Sequence, residues 1–153
     1  MKKYEFTGET KQVELLFRTA TLHRIRAVVE FGLVKVGDLG GWIEKEENLS
    51  HEGKAWVWGN AKVCGNAEVF SASHVLVIGA IGSRNDFTTF YRDKDGEITV
   101  KCGCFLGKID KFLEKVTATH GNSKYALVYR AAVEVAKLQI DLSGEAPEQN
   151  NND

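Results

Sequence analysis

The loop Gly82-Ser83-Arg84-Asn85-Asp86 brings together residue types that suit a phosphate-bearing ligand. Glycine lets a backbone come close, Arg84 offers a guanidinium fork that matches phosphate geometry, and Asn85 and Asp86 can bond amide edges or ribose hydroxyls. The segment that follows alternates, so Thr89 and Tyr91 share one face and Thr88 and Phe90 the other. An aromatic ring beside an arginine and hydroxyls can stack a base while the guanidinium takes the phosphate. Further on, Phe105 offers a second ring, and Lys108 stands where Cys102–Lys108 leads into a helix whose N-terminal amides attract anions. The ligand-binding set expected from these residues is therefore Arg84, Asn85, Asp86, Thr89, Tyr91, Phe105 and Lys108. An ordinary Asx-capped turn followed by two core aromatics accounts for the same residues.

Other chemistry finds less support. His23, His51, His74 and His120 are scattered, and only His74, in the last of a series of hexads, resembles a position from which a hexapeptide acyltransferase supplies a base. There is no nucleophile elbow, GxGxxG or Walker loop, so the expectation is a protein that is not an enzyme and has no cofactor. Cys64, Cys102 and Cys104 are an odd number, which favours reduced thiols. The Cys-Gly-Cys pair has no second ligand spaced for zinc, and structural packing is the expected role.

The elements that must position these residues are punctuated by a repeat. Gly53–Leu76 reads as four hexads, with Ala55, Ala61, Ala67 and Ser73 each two places before Val57, Val63, Val69 and Val75. A fixed six-residue period predicts a hexapeptide β-helix, the small residue at a tight inward corner and the valine in the core. Residues 1–52 read as a β-rich capping segment, in which Gly40-Gly41 allows a sharp bend and Trp42 and Ile43 plug the coil. Residues 77–142 read as a sheet plus two helices. Its strands are Val75–Ser83, Asp86–Asp93 and Glu97–Phe105, with Asp-Gly marking a hairpin. Its helices carry Ile109, Phe112, Leu113 and Val116 on one face, then Lys124 to Leu142 with apolar residues around more than half the circumference. Residues 143–153 read as a disordered tail. The expected fold is thus mixed β and α+β: a short left-handed hexapeptide β-helix, then a small antiparallel sheet with two C-terminal helices.

Composition limits the partners. With 20 Lys+Arg against 21 Asp+Glu the formal net charge is -1, so no global field draws a duplex nucleic acid. No apolar run approaches a membrane span and the opening residues turn polar at once, so the expectation is cytoplasmic, without a signal peptide. One coil with open ends and a broadly apolar last helix predict a homo-oligomer.

Thr21–Ala67 resembles the hexapeptide-repeat proteins common in bacteriophage genomes. Ile78–Ile140 resembles the sheet-plus-two-helix module those proteins often carry, and its strand and helix order is similar to phage Thoeris anti-defence proteins, which bind and hold cyclic ADP-ribose-type immune signals. The resemblance implies a phage-encoded sponge in the host cytoplasm that sequesters a cyclic nucleotide messenger. The alternative is a structural oligomer built on stacked coils, with no small-molecule ligand.

Overall fold

A computed structural model describes residues 1–144. The tail expected beyond residue 142 lies almost wholly outside the described residues. Strands β1 (Tyr4–Glu14), β2 (Thr19–Ala27), β3 (Leu39–Ile43) and β4 (Lys62–Val63) form one four-stranded sheet in that order. Strands β5 (Val75–Ile81), β6 (Asp86–Arg92), β7 (Ile98–Cys102) and β8 (Phe105–Lys108) form a second, antiparallel throughout. Helices α1 (Ile109–His120) and α2 (Lys124–Gln139) pack on the second sheet.

The expected left-handed β-helix is not formed. Gly53–Leu76 contributes one two-residue strand, a 3-10 turn, the first two residues of β5 and irregular backbone, within two mixed or antiparallel sheets. Four hexads amount to little more than one coil, so they have no further hexad coil to pair with and take other partners. Strand β4 runs parallel to β3, with Trp42 opposite Lys62 and Ile43 opposite Val63, while β2 pairs antiparallel with both β1 and β3. The hexad side chains still turn inward: Ala55, Val57, Ala61, Val63, Ala67 and Val69 are all buried. They pack with Tyr4, Ile25, Ile43, Leu49 and Tyr91 in the first core.

Gly40 and Gly41 serve close approach, where a bend was expected. A Cβ on Gly41 would lie 2.3 Å from the Trp58 carbonyl oxygen and 2.6 Å from that of Ala61, so only glycine lets these two stretches of backbone meet. The Gly41 N–H donates to the Val57 carbonyl at 2.7 Å. Buried Asn48 completes the stack, its Nδ2 donating to the Gly65 and Ala67 carbonyls at 3.1 Å each. Asn48 thus clamps the backbone from within, while Lys45, Glu46 and Glu47 beside it stay exposed. Arg24 and Arg26 pair across the hairpin with Glu9 and Glu5.

The second sheet covers the open end of the hexad region. Thr89 Oγ1 accepts the Lys62 N–H at 3.0 Å, the Tyr91 hydroxyl donates to the Cys64 carbonyl at 2.7 Å, and the Glu68 N–H reaches the Arg92 carbonyl at 3.0 Å. Residues 88, 90 and 92 of β6 face the helices, where Phe90, Phe105, Phe112 and Val133 form the second core. Strand β8, absent from the sequence reading, occupies residues expected to lead into the first helix. Cys104 falls in the β7–β8 turn, so it does not share a strand face with Cys102.

Candidate cationic cleft

The structure disperses much of the expected ligand set. Tyr91 is fully buried and its hydroxyl is committed to Cys64, so it stacks nothing. Phe105 packs against Phe112, ring centroids 5.4 Å apart, within the helix-side core. For Tyr91, alternation shows which side chains share a face but not what that face packs on; for Phe105, nothing nearby in the sequence marks the helix-side core that takes its ring. Lys108 is held by Asp93 at 2.8 Å and Asp95 at 2.7 Å. Burial opposes its charge, yet those two carboxylates outweigh it and raise its pKa above the ordinary lysine value. A lysine so neutralised is no free anion receptor.

Four members remain near one another. Arg84 and Asn85 are exposed on the β5–β6 turn and Asp86 at the start of β6, with Asn85 in the left-handed region at φ 51 and its N–H on the Gly82 carbonyl at 3.2 Å. A Cβ placed on Gly103 would come 2.9 Å from Arg84 Nη1, so the guanidinium lies against the β7–β8 turn. Asp86 and Thr89 line a cleft of about 160 Å³ beside that turn.

The cleft lies where the two sheets meet. Val13 and Glu14, at the end of β1, form one wall, with Lys62 of β4 beside them. Asp86, Phe87 and Thr89 of β6 form the other, with Lys101 of β7 and Gly103. Thr89 and Lys101 are direct cross-strand partners, so register alone sets their side chains next to each other. Lys101 is buried and donates to the Gly103 carbonyl. Burial lowers its pKa, and the charge of Lys62 lowers it further. Lys11, which lies 4.4 Å over the Trp42 ring, is lowered by burial and again by Lys62. Among the described residues neither Lys62 nor Lys101 makes an ion pair within 4.0 Å, although Glu14 and Asp86 share the cleft. Asp86 Oδ1 accepts the Phe87 N–H at 2.7 Å.

Two lysines near each other in a partly dry site are stabilised by a ligand of opposite sign, although Glu14 and Asp86 on the same walls already offset part of their charge. The sequence reading missed Lys62 and Lys101. Lys62 sits in a hexad whose register advertises only Ala61 and Val63. Lys101 alternates with Ile98, Val100 and Cys102 on the same side as Thr99, a pattern that reads as an ordinary solvated strand face.

His74 is remote from this chemistry. Its Nδ1 accepts the Phe70 N–H at 3.2 Å, it is buried, and burial lowers its pKa. Among the described residues no group of three His, Cys, Asp or Glu is placed to hold a metal ion, and no helix is long and apolar enough to cross a membrane.

No protein-family model matches the chain. It is similar to a curated protein named "Uncharacterized acetyltransferase YdcK" from Escherichia coli (strain K12), with 30% identity over 84 residues. The alignment takes in 48% of this chain and 26% of that protein, so the chain spans about a quarter of the relative's length.

Proposed function

We propose that this protein binds a small phosphate-bearing ligand of the nucleotide class in the cleft between Lys62 and Lys101 and holds it without turning it over. The observation that carries this reading is the pair of lysines, neither in an ion pair among the described residues, that line one cleft beside Thr89. Arg84 stands at the rim as a guanidinium available to the same anion. Retention rather than turnover is supported by how the nearby groups are occupied. The Thr89 hydroxyl already accepts the Lys62 N–H, and Lys101 is tied to the Gly103 carbonyl. The signals that the resemblance implies, cyclic ADP-ribose isomers and cyclic oligonucleotides, are the first compounds to try, and sequestration of such a signal by a phage-encoded protein is the role proposed.

The test is a thermal-shift screen against nucleoside monophosphates, cyclic oligonucleotides and cyclic ADP-ribose isomers, followed by mass spectrometry of ligand recovered after heating. We expect a rise in melting temperature that Lys101→Met abolishes, and an unmodified ligand. A shift with acetyl-CoA accompanied by acetyl transfer to an acceptor would instead bring to this chain the activity that the similar protein's name carries.

A second reading, as an assembly protein, is favoured by α2. Its outer face exposes Leu127, Val135 and Leu138, the last 89% accessible, opposite the buried Ala126, Tyr129 and Val133. Sedimentation of the wild type and Leu138→Glu tests it: a concentration-dependent oligomer lost in the variant supports assembly, and a monomer in both rejects it.

A further inference from the structure

We infer that Phe87 is the surface on which the base of a nucleotide stacks when its phosphate lies between Lys62 and Lys101, an inference that rests on the phosphate reading of the cleft. With Tyr91 and Phe105 committed to the cores, Phe87 is the aromatic ring that lines the cleft, and it is 37% accessible. It lies two residues before Thr89 on the same face of β6, which places it about 7 Å along the strand from the Thr89–Lys101 pair, a span that a sugar bridges.

The ring is also held in place. A Cβ on Gly79, on neighbouring strand β5, would fall 2.4 Å from Phe87 Cδ1, so the aromatic side chain lies directly against the glycine backbone. With that side fixed, the remaining ring surface is presented at little entropic cost. Size points the same way. At about 160 Å³ the cleft is smaller than the roughly 300–1,000 Å³ of sites that enclose a whole ligand, so it can take a phosphate and sugar while the base lies at the mouth, over Phe87.

Calorimetric titration of the full chain with adenosine 5′-monophosphate and with ribose 5-phosphate separates base from phosphate. Stacking should make the nucleotide bind about tenfold tighter or more. Phe87→Leu should reduce it to the affinity of ribose 5-phosphate while leaving the latter unchanged, and Phe87→Trp should keep the preference. Unfolding midpoints of both variants show whether the cover over Gly79 is intact, and the tryptophan variant carries the test if the leucine variant is unstable. Equal affinities of the two compounds for the wild type, both weakened by Lys101→Met, overturn the role of Phe87 and leave the phosphate reading standing. No binding of either compound overturns both.

Discussion

The Thr89 hydroxyl accepts the backbone N–H of Lys62 at 3.0 Å, and that single bond joins the hexad region to the second sheet at the floor of the cationic cleft. Thr89 is buried, lies opposite Lys101, and so fixes both lysines relative to each other. Replacing it with valine keeps the shape but leaves the Lys62 N–H without its partner. Thr89→Val should therefore cost about 1–3 kcal/mol in denaturant unfolding. A change within about 0.5 kcal/mol would show that this bond does not anchor the junction.

Two neighbouring substitutions separate packing from chemistry. Ala61 is fully buried beside Gly41, and Ala61→Leu should overpack the core by roughly 1–3 kcal/mol. Lys62→Leu should leave stability nearly unchanged and weaken anion binding. Thermal melts and ligand titrations on both variants check the contrast, which fails if the two lose stability equally.

Much of this fold could be read from local pattern and little of it from the repeat. The hairpin at Asp95-Gly96, the strands around it and α1 with Gly121 at its end follow from turn chemistry and helical spacing. Helix α2 ends at Gln139, short of the expected Leu142. The inward direction of Ala61 and Val63 was also legible, because a side chain's face depends on its near neighbours. Pairing depends on distant ones: the partner of Lys62 is Trp42, and its cap is Thr89, twenty-seven residues further on. The site was obscured for the same reason. Arg84, Asp86 and Thr89 lie together in sequence and so could be grouped from it, whereas Lys62 meets Lys101 only where the two sheets join.

The Asp93 cluster should govern acid stability. Its buried carboxylate accepts the Thr99 hydroxyl at 2.7 Å, Lys108 at 2.8 Å and the N–H groups of Asp95 and Glu97. Burial opposes the charge, but these four donors outweigh it and lower the Asp93 pKa below the ordinary 3.8. The native state therefore binds that proton less readily than the unfolded chain, so the stabilisation is complete above the unfolded value and is lost as pH falls below about 4. Asp93→Asn should cost about 1–3 kcal/mol at neutral pH and flatten the stability profile on the acid side, as read by urea midpoints against pH. A parallel profile in the two proteins would assign the acid dependence elsewhere.

Binding should carry the mark of a lysine that titrates early. Lys101 is lowered by burial and by Lys62, so it loses its proton before an ordinary lysine at 10.5, and a phosphate in the cleft favours the charged form. Affinity should therefore fall as pH rises toward 10.5, beginning earlier in the wild type than in Lys101→Arg. Coincident pH profiles would place the anion away from Lys101.

The most direct measurement is isothermal calorimetry of the wild type and Lys101→Met against the nucleotide panel at low ionic strength, with the ligand recovered and weighed by mass spectrometry. A charge-assisted contact is worth about 1.5–3 kcal/mol, so the account predicts a ten- to hundredfold loss of affinity in the variant, at unchanged unfolding midpoint, and an intact ligand. The absence of heat with every compound, equal affinity in the two proteins, or recovery of a cleaved or acetylated product would contradict it.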